Sequence, residues 1–105
     1  MNELLQKLEA IHIRFVEVGK LIVDPEIIAD MKRYVKLNKE YKDLSKLMEK
    51  GKIYKGLLSN QEEALEIIKD GSDQEMVEMA KLQLDEAKEH LPTLEEEIKL
   101  MLIPI

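Results

Sequence analysis

Apolar residues recur along this chain at steps of three and four, the spacing of one face of an α-helix. The clearest run is the last: Met76, Ala80, Leu84, Ala87, Leu91, Leu94, Ile98 and Met101. It predicts a helix over about 73–102 whose narrow seam packs against another helix. A second run, Leu4, Leu8, Ile11, Phe15, Val18 and Ile22, is widened by Leu5 and Leu21. It predicts a helix from about Asn2 to Ile22, with Asn2 as its cap. Gly19 is expected to weaken the last turn of that helix by about 1 kcal/mol. Asp24-Pro25-Glu26 reads as a stop followed by a start, since Pro25 suits a first helical position and Asp24 an N-cap. The helix that begins there carries Ile27, Ile28 and Met31. No Gly or Pro marks its end, which leaves open whether it runs on or bends near Met31–Arg33. The third long helix is expected from about Arg33 to Lys69. Its seam reads Tyr34, Leu37, Tyr41, Leu44, Met48, Gly51, Tyr54, Leu58, Gln61, Leu65 and Ile68. The alternation slips at 48-51-54, beside Gly51 and Gly56, so distortion or a short break is expected over 50–57.

Asp70-Gly71-Ser72-Asp73 is the clearest loop, with Gly71 suited to a left-handed residue and Asp73 to a cap. So short a connection makes the flanking helices antiparallel neighbours. Helices of the predicted lengths extend about 55 and 45 Å. The expected fold is all-α: an elongated antiparallel helical hairpin or coiled coil, with an N-terminal helix packed against it, three to four helices in all. Pro92 removes one backbone hydrogen bond inside the last helix. The seam continues in phase beyond it, so a kink is expected there rather than a stop, and Pro104 is the expected terminator.

Composition narrows the chemistry. The 105 residues make room for one domain, 1–105. Charged residues are 36% and aromatic residues 4%, a mix suited to long solvated helices rather than an enzyme core. The absence of cysteine excludes disulfides, thiolate metal sites and thiol nucleophiles. No apolar run approaches the ~20 residues of a membrane span, and no signal peptide is visible, so the expected compartment is the cytoplasm. The net charge of −6 hides an asymmetry: from Lys32 to Lys55 nine basic residues face three acidic ones. The overall acidity therefore does not rule out local contact with nucleic acid.

No catalytic, cofactor or metal site emerges. His12 and His90 have no partner at ligand spacing and are expected at helix edges or on the surface. Glu95-Glu96-Glu97 projects around its helix, and it reads as a solvated face, as do Glu62, Glu63 and Glu66. Met31, Met48, Met76, Met79 and Met101 lie near the seams, where core packing is expected over an adaptable groove. Lys32, Lys36, Lys39, Lys46 and Lys50 each lie two positions from a seam residue and so share an outward face. That stripe has two readings: a solvated back face, or a surface that contacts RNA phosphate without reading sequence.

Several segments together resemble the N-terminal domain of bacterial class I peptide chain release factors. They are Leu8-Glu9-Ala10-Ile11-His12 with Arg14, Phe15 and Glu17; Asp24-Pro25-Glu26; Glu40-Tyr41 with Leu44; Asp73 with Glu75-Met76 and Met79-Ala80; and the closing Met101-Leu102-Ile103-Pro104. The chain looks most like the branch that reads UAA and UAG, because the UGA-reading branch usually carries a Trp after the Pro of the second helix. Ile105 stands where the family usually has Lys. The family's Gly-Gly-Gln loop and its tripeptide codon reader are not in this sequence, and Pro92-Thr93-Leu94 is in a helical context. The resemblance therefore implies one domain of a longer protein, with no catalysis of its own and no cofactor. It implies docking on the ribosome near the GTPase-associated centre, against stalk-base rRNA and protein. It leaves open contact with the class II release-factor GTPase. Physics alone supports a second reading, a helical-hairpin adaptor or a coiled coil that self-associates through an exposed seam.

Overall fold

In the computed structural model, which describes residues 2–104, the chain forms four helices and no strands among those residues. They are α1 (Glu3–Leu21), α2 (Pro25–Ala29), α3 (Met31–Asp70) and α4 (Gln74–Leu102). Local chemistry accounts for most of the boundaries. Asn2 Oδ1 accepts from the backbone N–H groups of Leu4 (2.8 Å) and Leu5 (3.2 Å), as expected of an N-cap. Asp24 accepts from Glu26 N–H at 2.9 Å, with Pro25 opening α2. Gly71 takes a positive φ of 67° after α3, and Asp73 accepts from Glu75 and Met76 at the start of α4.

The junction left open in the sequence is a break. Asp30 leaves helical geometry (φ −97°, ψ 90°) between α2 and α3. Its carboxylate accepts from Arg33 N–H at 3.3 Å, and its carbonyl accepts from Tyr34 N–H at 2.9 Å. Asp30 thus caps a helix that starts at Met31, two residues before the expected Arg33.

The short break expected over 50–57 is absent: α3 is unbroken through Gly51 and Gly56. Neither glycine adopts positive φ. Gly51 is buried, and a Cβ there would lie 3.4 Å from Leu8 Cδ2. Its smallness serves the close approach of α1. At 40 residues, α3 is about 60 Å long.

Two compact units divide the chain at Gly51. In the first, α1 runs antiparallel to the early part of α3, with Leu8 beside Gly51 and Arg14 beside Glu40. Leu4, Leu8, Val18, Ile27, Leu37, Leu44 and Leu47 are buried. In the second, the later part of α3 and α4 are antiparallel across the 71–73 loop, and the Tyr54 hydroxyl donates to Glu95 at 2.7 Å. Tyr54, Ala64, Val77, Ala80, Ala87, Leu91, Leu94 and Ile98 are buried.

Three details of the seams need correction. Ala64 is fully buried where Leu65 was expected, and Leu65 is exposed. Val77 is buried where Met76 was expected, and Met76 is exposed. Met31 and Met79 also face solvent, whereas Met48 and Met101 are half-buried. In each case one residue of helical phase, about 100°, separates the expected position from the buried one or moves the side chain off the contact face. Pro92 is exposed, and α4 continues through it to Leu102. The carbonyl it leaves without an amide donor, that of Lys88, belongs to an exposed residue, where such a group is open to water.

Candidate functional site

The lysine stripe sits on α3, and period alone decides most of its exposure. Lys32, Lys36, Lys39 and Lys46 are all exposed. Lys42 is exposed on the same side, and Asp43 interrupts the positive run. None of these lysines forms an ion pair among the described residues. Lys50 departs from the expectation of a shared outward face. It is half-buried and already engaged by a partner within the fold. The reason is a shift in the buried face of α3, from Leu37 and Leu44 to Leu47, Gly51 and Tyr54. Lys50 lies three residues after Leu47 and four before Tyr54, on the same face as both. The exposed stripe is therefore Lys32, Lys36, Lys39 and Lys46, with Lys42 beside them.

A second cluster underlies this surface. Arg14 Nε donates to Glu40 Oε2 at 2.7 Å, and its Nη2 donates to Glu40 Oε1 at 2.9 Å. That is a bidentate fork, with a third bond from Nη1 to Glu17 at 2.8 Å. The hydrogen bonds from Arg14 hold the Glu40 carboxyl below its usual range, against the opposing effect of partial burial, and Lys36 adds attraction. The same bonds raise Arg14. One residue on, Phe15 and Tyr41 stack with ring centroids 4.9 Å apart. Gly19 lies against the same ring, where a Cβ would come within 3.3 Å of Tyr41 Cε1. The glycine expected only to weaken α1 makes room for this stack. The cluster holds α1 on α3, with Lys36 one turn before Glu40 on the same side and Lys39, Lys42 and Lys46 turned further from it. Its members are 26 positions apart, a pairing that periodicity does not reveal.

His12 and His90 are exposed. No group of His, Cys, Asp and Glu suited to holding a metal occurs among the described residues. Glu95, expected on a solvated face, is half-buried and accepts the Tyr54 hydroxyl. Glu97 is also engaged within the fold, while Glu96, Glu62, Glu63 and Glu66 are exposed. Among the described residues no helix is long and apolar enough to cross a membrane.

Comparison with known proteins gives a consistent result. The PCRF domain matches residues 11–105. Peptide chain release factor 1 of Flavobacterium psychrophilum is 59% identical over 101 residues, covering 96% of this chain and 28% of that protein. The protein of the same description from Bacteroides fragilis is 55% identical over 103 residues, covering 98% of the chain and 28% of its own length. That of Lactobacillus delbrueckii subsp. bulgaricus is 38% identical over 104 residues, covering 99% and 29%. The chain thus spans a little over a quarter of the length of these curated relatives. No solved structure matches it.

Proposed function

Because the chain belongs to the class I peptide chain release factor family, through its PCRF domain, we propose that it serves translation termination as that family's N-terminal helical domain. The observation that carries this reading is the 59% identity with a release factor 1 across nearly the whole chain. The branch implied is the one that reads UAA and UAG, and the compartment is the cytoplasm. In this reading the domain docks near the GTPase-associated centre of the ribosome, at the rRNA and protein of the stalk base. It neither reads codons nor hydrolyses peptidyl-tRNA. The class II release-factor GTPase is a second candidate partner at the same place.

The docking face is the ridge of Lys32, Lys36, Lys39 and Lys46. Four exposed cations along one side of a rigid helix suit a phosphate backbone, whose charges attract lysine without reference to sequence. Lys50 sits at the edge of this ridge and is held by the fold. The test is binding of the chain to ribosomes across a salt series, beside the triple variant Lys36→Glu, Lys39→Glu, Lys46→Glu. The expected result is salt-sensitive binding that falls at least about tenfold in the variant, with a shallower salt slope. Equal binding by both proteins removes the ridge from docking. Binding by neither overturns the assignment of ribosome docking to this domain.

A further inference from the structure

Two exposed apolar patches remain that phosphate contact does not use, and they carry rims of opposite charge. The first lies at the start of α3. Met31 and Val35, one turn apart, are 67% and 58% exposed. Ile28, just before the break at Asp30, is exposed as well. The row continues at helical spacing through Lys39, Lys42 and Lys46, all exposed and free of ion pairs among the described residues. The second patch lies near the start of α4. Met79 and Leu82 are 65% and 71% exposed, and Met76 is exposed beside them. Their row runs Glu75, Met79, Leu82, Glu86, Glu89, and every member is exposed. In both rows two large apolar side chains precede like charges, positive in α3 and negative in α4, and Glu75 adds a further acid before the apolar pair of α4.

We propose that these rows are the two halves of one self-association contact: the α3 row of one copy receives the α4 row of a second copy. Rows built of steps of three and four residues interdigitate in ordinary helix-on-helix packing. Met31 and Val35 would then leave water against Met79 and Leu82, and methionine adapts to an imperfect fit. Lys39 and Lys42 meet Glu86 and Glu89, which fixes partner and register. An RNA backbone would satisfy the lysines and leave Met31 and Val35 without an apolar counterpart. The α4 row supplies that counterpart together with the matching charge. The patches are small, which places the contact among weak, concentration-dependent associations.

The test uses the 105-residue chain and two charge-reversed variants in sedimentation equilibrium over a concentration series at low salt. Variant A is Lys39→Glu with Lys42→Glu, and variant B is Glu86→Lys with Glu89→Lys. Circular dichroism confirms that both retain the helicity of the wild type. Each variant alone opposes like charges at the contact, so its self-association should weaken at least about tenfold relative to wild type. An equimolar mixture of A and B restores opposite charges across the contact and should regain association. A wild type that stays monomeric throughout the series would falsify the proposal and assign both patches to other molecules. Variants that associate as well as wild type, or a mixture no more associated than its parts, overturn it equally.

Discussion

Arg14 and Glu40 show how much one pair of residues can decide in a thin helical fold. Arg14 bridges to Glu40 through two nitrogens and to Glu17 through a third, and the Phe15–Tyr41 stack sits directly alongside. Both charged side chains remain more than a third exposed or close to it, so water screens the pair. Its worth is therefore at the upper end for surface ion pairs, about 1 kcal/mol. Glu40 is held below its usual range by the hydrogen bonds from Arg14. A carboxyl depressed in the folded state contributes stability that is complete above its unfolded value, near pH ~4.3, and is lost as pH falls through the lower folded value. Glu40→Gln keeps the shape and removes the charge. It should lower stability by about 1 kcal/mol at pH 7, measured by urea unfolding. The gap between the two proteins should stay constant down to about pH 5 and close below the ordinary carboxylate range. A gap unchanged at pH 2 would show that Gln perturbs packing rather than charge.

At the scale of the element, the three glycines of α1 and α3 separate into distinct roles. A helical glycine costs about 1 kcal/mol relative to alanine unless its smallness is used. Gly56 has nothing within 4 Å of a built Cβ, Gly51 meets Leu8 at ordinary contact, and Gly19 meets the Tyr41 ring at 3.3 Å. Gly56→Ala should therefore raise stability by about 0.5–1 kcal/mol, with Gly51→Ala giving less. Gly19→Ala should give no gain or a loss, because the ring is held by its stack on Phe15. Thermal unfolding of the three variants checks the order, and an equal gain at all three would show that the tight approach at Gly19 is not maintained. The same positions explain what was legible in the sequence. Asp24-Pro25, Gly71 and Asp73 state their roles locally, so those boundaries follow from residue type. Asp30 caps α3 as effectively, but an aspartate between apolar residues looks the same on a helix surface. Gly51 suggested a weak helix because a contact from α1 is invisible to local pattern, while Gly56 has no such contact and α3 runs through it all the same. The exposed lysines followed from period. Lys50 did not, since the turn of the buried face toward Leu47 and Tyr54 depends on which neighbours pack there. Phe15 and Tyr41 were legible as seam positions, Arg14 and Glu40 were marked only by family resemblance, and folding is what brings the four into one cluster.

For the whole molecule, the division of charge matters more than its sum. Residues up to Gly51 carry ten basic and nine acidic groups, a net +1, whereas those from Lys52 onward carry six and thirteen, a net −7. The second unit thus folds under its own repulsion. Its exposed acids, among them Glu75, Glu78, Glu86, Glu89 and Glu96, crowd α4 with few lysines in reach. The pair between Lys81 and Glu78 spans 3.9 Å and is well exposed, so it offsets little. Self-repulsion of this kind destabilises a compact state and is screened by salt. The Arg14–Glu40 fork pulls the other way, because screening weakens an attractive pair, but partial burial and two-point geometry protect it. Repulsion spread over thirteen acids should outweigh one protected pair. Raising sodium chloride from about 50 to 500 mM at pH 7 should therefore stabilise the chain by roughly 0.5 kcal/mol, or about 2–4 °C in Tm. In Glu86→Lys with Glu89→Lys the repulsion is largely relieved already, and the salt effect should shrink correspondingly. A Tm that falls with salt in the wild type would mean that attraction in the first unit, not repulsion in the second, governs the electrostatic balance of this domain.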